Sequence, residues 1–154
     1  MKARTIVFTL AMCLVGAAIC FAQDANLGTW KLNEAKSKIS AGSQKNTDVV
    51  YQAMGGDVKV TADGISGDGK PTHIEWTGKF DGKDYPVTGD PNSDMRSYKK
   101  VDDHTLALTA KKAGKVTTTG SIVVSADGKT RTVSTKGTDS TGKSFQNTAV
   151  FDKQ

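Results

Sequence analysis

The chain has 154 residues, two cysteines and a formal net charge of +5, a length that suits one domain and is short for two. Its lysines are scattered, and the only adjacent pairs are Lys99-Lys100 and Lys111-Lys112. The sequence therefore lacks the basic stripe that nucleic-acid binding needs, and no nucleic-acid partner is expected.

The first predicted element is a secretory signal peptide over residues 1–22. Lys2 and Arg4 supply its positive charge, residues 5–21 are almost continuously apolar, and Ala22 is a small residue at the expected cleavage site. No basic cluster follows the apolar run, so a retained membrane anchor is the less favoured alternative. We expect cleavage after Ala22, a periplasmic or secreted location and no transmembrane segment in the mature protein.

The mature chain, residues 23–154, is predicted to be one cysteine-free domain. Cys13 and Cys20 both lie inside the signal peptide, so no disulfide or thiolate chemistry is available. Without Lys2 and Arg4, 19 basic residues face 16 acidic ones, a net charge of +3. The domain must then be stabilised by its own core, and we expect a monomer that needs no cofactor and no metal.

Short segments rich in Val, Ile, Thr, Tyr and Trp follow one another, separated by turns that contain glycine. Three turns repeat one tripeptide, Asp68-Gly69-Lys70, Asp81-Gly82-Lys83 and Asp127-Gly128-Lys129, in which glycine supplies the positive φ of a tight hairpin. Gly114 and Gly142 lie in variants of it. The predicted strands are 28–33, 47–54, 57–62, 72–80, 84–88, 95–101, 104–111, 115–125, 130–137 and 144–152.

Alternation within these segments predicts strands with one buried face, as where Ile74, Trp76 and Phe80 share a side. The only predicted helical turn runs from Asn33 to Ser37, with Asn33 as its cap. Strands joined by tight turns favour a meander, and closure into a barrel removes its two edges. The predicted fold class is all-β: an antiparallel up-and-down meander that closes into a barrel of eight to ten strands, with one short helical turn after the first strand.

Three segments carry a resemblance to a known group: Gly28-Thr29-Trp30-Lys31-Leu32, the run 33–38 and the run 81–89. The chain resembles the calycin-type lipocalin and fatty-acid-binding proteins, and is more similar to small exported bacterial proteins described as lipocalin-like. The resemblance implies that the strand with Gly28 and Trp30 closes one end of the barrel, with Trp30 over its base. It also implies that a late basic residue, here Arg131, packs on Trp30 through a cation–π contact.

No catalytic or metal-binding pattern emerges, and an enzyme is not expected. His73 and Glu75 share a strand face, but that face is the polar one opposite Ile74 and Trp76. The segment 90–94 begins like a calcium loop and then lacks the glycine and the final glutamate that such a loop requires.

Two functions remain open. The first is an exported protein that binds a small, partly apolar or amphipathic molecule in or at the mouth of the barrel, with Trp76 and Tyr98 as the predicted wall. The alternative is a protein-interaction or envelope-associated module whose barrel is filled by side chains. A barrel of this size has room for side chains or for one small ligand, so the space left inside decides between them.

Overall fold

The computed structural model describes residues 24–154, so the predicted signal peptide lies outside the described residues. Ten β-strands and one 3-10 turn, Glu34–Lys36, account for most of this part of the chain. The strands are β1 (Gly28–Leu32), β2 (Lys45–Met54), β3 (Asp57–Ile65), β4 (Pro71–Gly78), β5 (Tyr85–Thr88), β6 (Met95–Lys100), β7 (Thr105–Lys112), β8 (Lys115–Val124), β9 (Thr130–Thr138) and β10 (Ser144–Lys153).

Every strand pairs antiparallel with its neighbours in the sequence, and β1 also pairs with β10 to close the barrel. In the closing seam Trp30 lies opposite Lys153 and Leu32 lies opposite Phe151. Closure leaves no unpaired edge strand in this sheet. The predicted all-β meander and its closure are confirmed, at the upper limit of the predicted strand number.

The barrel has two different ends. The closed end carries the N-terminal segment 24–27 and the short turns after β2, β4, β6 and β8; the loop end carries the β1–β2 connection 33–44 and the turns after β3, β5, β7 and β9. The repeated glycines lie where hairpins were predicted, and Gly128 at the closed end has φ 70°. Asp127 supports the same turn by accepting a hydrogen bond from the amide of Lys129 at 3.0 Å.

The β1–β2 connection starts with the predicted helical turn. Asn33 caps it by accepting a hydrogen bond from the amide of Lys36 at 3.2 Å, and its own side-chain amide donates to Asp152 at 2.7 Å. Lys38 then forms a bridge with Thr148 of β10. The connection therefore runs along β10 to the loop end instead of crossing open solvent.

Alternating residues of the strands point inward and form one core, whose most deeply buried members are Trp30, Leu106, Ile74 and Trp76. Gly78 ends the inward face of β4, and a Cβ there would lie 2.5 Å from Cγ of Tyr85. Glycine thus lets the aromatic side chains of β4 and β5 approach each other closely. No helix among residues 24–154 is long and apolar enough to cross a membrane.

Candidate ligand-binding site

Side chains do not fill the barrel completely, and a cavity of about 160 Å³ remains inside it. Apolar side chains from β2, β3, β7, β9 and β10 form much of its wall, including Val49, Val60, Leu108, Val133 and Phe151. Its lining continues to the polar residues of the loop end, among them Gln44, Asn92, Thr135 and Asp139. Nearly half of the lining residues are polar or charged, so the cavity combines an apolar wall with groups that could orient a small molecule.

Arg131 forms the floor of the cavity, and Trp30 lies beyond Arg131 without lining the cavity. Trp30 is fully buried, and its indole N–H donates to the carbonyl oxygen of Asn26 at 2.9 Å. The guanidinium carbon of Arg131 lies 5.3 Å from the centre of the Trp30 ring. Arg131 thus packs on Trp30 and also lines the cavity; the barrel-closing role that the lipocalin resemblance implies for the two residues stays a prediction.

Two more rings surround the same guanidinium. Its central carbon lies 4.7 Å from the ring centre of Tyr51 and 5.1 Å from that of Phe151. Arg131 is only 2% exposed, and its Nε and Nη1 atoms have no hydrogen-bond acceptor among residues 24–154. Aromatic faces therefore replace a carboxylate as the partner of this buried charge.

The backbone explains why glycine occupies the first position of the Gly-x-Trp segment. Gly28 has φ 120°, which a residue with a side chain rarely adopts, and its Cβ would lie 2.9 Å from Cε of Lys153. The ammonium of Lys153 reaches to 5.1 Å from the Trp30 ring centre. The absent side chain at Gly28 leaves room for Lys153 beside the tryptophan.

The two residues predicted to form the ligand wall have different places. Tyr98 lines the cavity, whereas Trp76 is not among the lining residues. Trp76 instead packs edge-to-face against Tyr98, with ring centres 4.7 Å apart, and donates its indole N–H to the carbonyl of Arg96 at 3.0 Å. Trp76 therefore packs behind Tyr98 as seen from the cavity, and contact of either residue with a ligand stays a prediction.

A second arginine faces the cavity, nearer the loop end. Nη2 of Arg96 lies 2.6 Å from Oδ2 of Asp90, and the two side chains are 12% and 6% exposed. Burial disfavours the charge of Arg96, but Tyr98 and Asp90 outweigh this effect and raise the pKa of the guanidinium. Asp90 also accepts hydrogen bonds from the hydroxyl of Ser93 and the amide of Asn92, so its carboxylate is already occupied within its own turn.

Asn92 ties the turns of the loop end together. Its side chain donates to Gln44 of the β1–β2 connection at 3.1 Å and accepts from the amide of Ser140, in the β9–β10 turn, at 3.0 Å. Its carbonyl oxygen accepts from the hydroxyl of Thr117 in β8 at 3.0 Å. One side chain therefore bridges three connections at the mouth of the cavity.

The ionisable pair that the sequence singled out lies elsewhere. His73 is exposed and its Nδ1 lies 2.6 Å from Oδ1 of Asp63, while its Nε2 is 3.7 Å from Oε1 of Glu75. The hydrogen bond with Asp63 raises the pKa of His73. These residues do not line the cavity, and no group of three or more potential ligands in residues 24–154 is placed to hold a metal ion.

Comparison with known structures supports the fold. One similar structure is a redesigned β barrel, mFAP1, bound to DFHBI, with 18% identity, coverage of 84% of this chain and 95% of that chain, and a TM-score of 0.47. Another is EF1p2_mFAP2b bound to DFHBI, with 13% identity, coverage of 84% and 94%, and a TM-score of 0.50. The sequence matches no protein-family model and shows no significant similarity to a curated protein.

Sequence reasoning had missed three parts of the site: Tyr51, Asn92 and the Asp90–Arg96 pair. Tyr51 was not singled out among the aromatic residues of the sequence, although it lies against Arg131 and lines the cavity. Asp90 lies in one predicted turn and Arg96, of opposite charge, lies at the start of the strand that follows it, and this was a usable signal. The contacts of Asn92 join segments 48 positions apart and have no local signature.

Proposed function

We propose that the protein is an exported, lipocalin-like binding protein that takes a small, partly apolar molecule into its barrel. The observation that carries this proposal is the cavity of about 160 Å³ inside a closed barrel. An engineered apolar cavity of about 150 Å³ binds benzene, so this volume corresponds to a ligand portion of about one ring. The structure of EF1p2_mFAP2b bound to DFHBI is an example of a similar fold with a bound compound.

The polar loop end suits an amphipathic molecule better than a wholly apolar one. The lining includes Val60, Leu108 and Tyr98 together with Asn92 and Gln44 of the loop end, so it offers both an apolar surface and polar partners. Polar groups at fixed positions give orientation, while the apolar wall supplies most of the binding free energy.

Binding is tested by titrating purified, delipidated protein with small aromatic amphipathic compounds such as p-cresol and indole. The melting temperature of the protein and its tryptophan emission are measured at each step. A bound compound raises the melting temperature. Emission is measured again with Trp76→Phe, because Trp76 contacts the cavity wall through Tyr98.

Two matched variants of β7 show where binding occurs. Ala110 is buried and lines the cavity, whereas Ala107, on the same strand, does not line it. Ala110→Leu should weaken binding at least about tenfold by filling the space, and Ala107→Leu should leave it unchanged. If no compound binds and mass spectrometry of native protein finds nothing bound, the protein-interaction alternative replaces this proposal.

Export is tested separately. The sequence pattern of residues 1–22 supports it, and the mature protein should begin after Ala22 and be found outside the cytoplasm of its native host. Fractionation and N-terminal sequencing measure both. A cytoplasmic pool of uncleaved protein would contradict this part of the proposal and leave ligand binding unaffected.

A further inference from the structure

Arg131 is unusual among the buried polar groups because it is a charge without a charged partner. It forms no salt bridge with a residue of 24–154, whereas Arg96, the other arginine lining the cavity, is paired with Asp90 at 2.6 Å. Aromatic rings compensate part of the cost of burying the Arg131 guanidinium, but they accept no hydrogen bonds from Nε and Nη1.

The position of Arg131 places its unpaired charge at the cavity. Arg131 lines the cavity from its floor, and it is 2% exposed. Among the other charged residues of the lining, Asp90 is paired with Arg96 and Lys45 with Glu34, while Asp139, at the loop end, accepts hydrogen bonds within its own turn. An anion at the floor of the cavity would therefore find the unpaired positive charge of Arg131, in surroundings where charge pairs are stronger than in water.

We propose that the ligand carries an anionic group, such as a carboxylate, which binds to Arg131 at the floor of the cavity while the apolar part of the ligand lies against Tyr98 and Leu108. This inference rests on the proposed ligand-binding function and adds the charge of the ligand to it. Arg131 then has two roles: it covers Trp30, and it supplies the counter-charge for the ligand. A guanidinium suits the second role because its planar donors match a carboxylate.

The test compares three probes of nearly equal size with different charge: benzoate, benzamide and benzylamine. Each is titrated into the mature protein by isothermal calorimetry. Benzoate should bind about tenfold to a hundredfold more tightly than benzamide, and benzylamine should bind most weakly. The preference for benzoate should persist at 0.5 M NaCl, because salt screens buried charge pairs much less than surface pairs.

Two methionine variants locate the charge responsible. Arg131→Met removes the charge inside the cavity, whereas Lys153→Met removes a charge that also lies near Trp30 but does not line the cavity. The first should abolish the preference for benzoate over benzamide, and the second should preserve it. Arg131→Lys, which retains the charge without the planar donors, should show an intermediate preference.

The results separate this inference from the function on which it rests. Equal affinity for benzoate and benzamide in the wild-type protein overturns anion recognition and leaves ligand binding intact. Binding of none of the three probes, together with failure of p-cresol and indole, overturns both. Should Arg131→Met fail to fold, the wild-type series and Arg131→Lys still decide the question, since a preference for benzoate that is lost at 0.5 M NaCl would assign it to surface lysines.

Discussion

The two ends of the barrel are stabilised in different ways. At the closed end, Trp30 is fully buried in the apolar core and packs against the guanidinium of Arg131. At the loop end, the hydrogen bonds of Asn92 connect turns that are partly solvated, and the Asp90–Arg96 pair lies within one hairpin. Close packing fixes the wall at the closed end. At the loop end, only a few polar contacts keep the turns around the mouth of the cavity in place, so substitution of a single residue can release them. The difference indicates that stability is concentrated at one end and access to the cavity at the other.

The largest loss of stability is expected from a substitution that disrupts the closed end. Trp30→Ala should lower the free energy of unfolding by about 3 to 5 kcal/mol, because it removes a large buried side chain and leaves a void under Arg131. Urea unfolding of the mature protein measures this. Phe145→Ala, at the half-buried cavity wall near the loop end, is the comparison and should cost less. An unchanged midpoint for Trp30→Ala would contradict the assignment of stability to the closed end.

The next largest loss of stability is expected from a substitution that breaks the buried ion pair near the loop end. Asp90→Asn should destabilise the fold by about 3 kcal/mol, because the charge of Arg96 would stay buried without its partner. Asp84→Asn is a matched control, since Asp84 lies at the same 2.6 Å from Lys111 but both side chains are about one third exposed. That control should cost less than about 1 kcal/mol. Equal losses for the two variants would show that burial does not determine the strength of these pairs.

A smaller effect is expected where one side chain holds the turns together. Asn92→Ala removes the hydrogen bonds with Gln44 and Ser140, and should cost about 1 to 2 kcal/mol. Hydrogen exchange of the Ser140 amide should become faster, while the amides of β1 should be unaffected. Loss of protection throughout the barrel would instead show that the loop end and the closed end unfold as one unit.

The smallest effect concerns the outer surface near the loop end. Asp63 raises the pKa of His73, so the pair contributes stability when His73 is protonated, below its unfolded pKa of about 6.5, and this contribution is lost as the pH rises through the higher folded value. His73→Gln should therefore slightly lower the melting temperature at pH 5.5 and leave it unchanged at pH 8.5. The reverse pattern would exclude the Asp63 contact as the cause.

Much of the fold could be predicted because its signals are local. The hairpin turns follow from glycine positions such as Gly82 and Gly128, and the alternation of Ile74 and Trp76 matches their inward orientation in β4. Phe80 had been assigned to that strand, but β4 ends at Gly78. Gly78 is the last residue of β4, and the close approach of Tyr85 leaves no room there for a Cβ.

The site was less predictable because its contacts join distant segments. Alternation places Tyr98 and Trp76 on inward faces of different strands, but it does not show that Tyr98 meets the cavity and that Trp76 packs behind it. The position of Arg131 was inferred from family resemblance, and the absence of a carboxylate beside it depends on how ten strands come together. The volume left after packing depends on all the side chains of the interior, so no single segment of the sequence predicts it.

The closing seam has a consequence for the order of folding. Each hairpin joins strands adjacent in the sequence, but β1 and β10 pair the two ends of the domain, and the amide of Gln154 donates to the carbonyl of Thr29 at 3.0 Å. Contacts between distant residues carry the greatest loop-closure entropy. We expect this ladder to form last, so that a chain still lacking β10 holds its hairpins without an enclosed interior. Pulse-labelling hydrogen exchange should show late protection of the β1 amides, and early protection there would contradict this order.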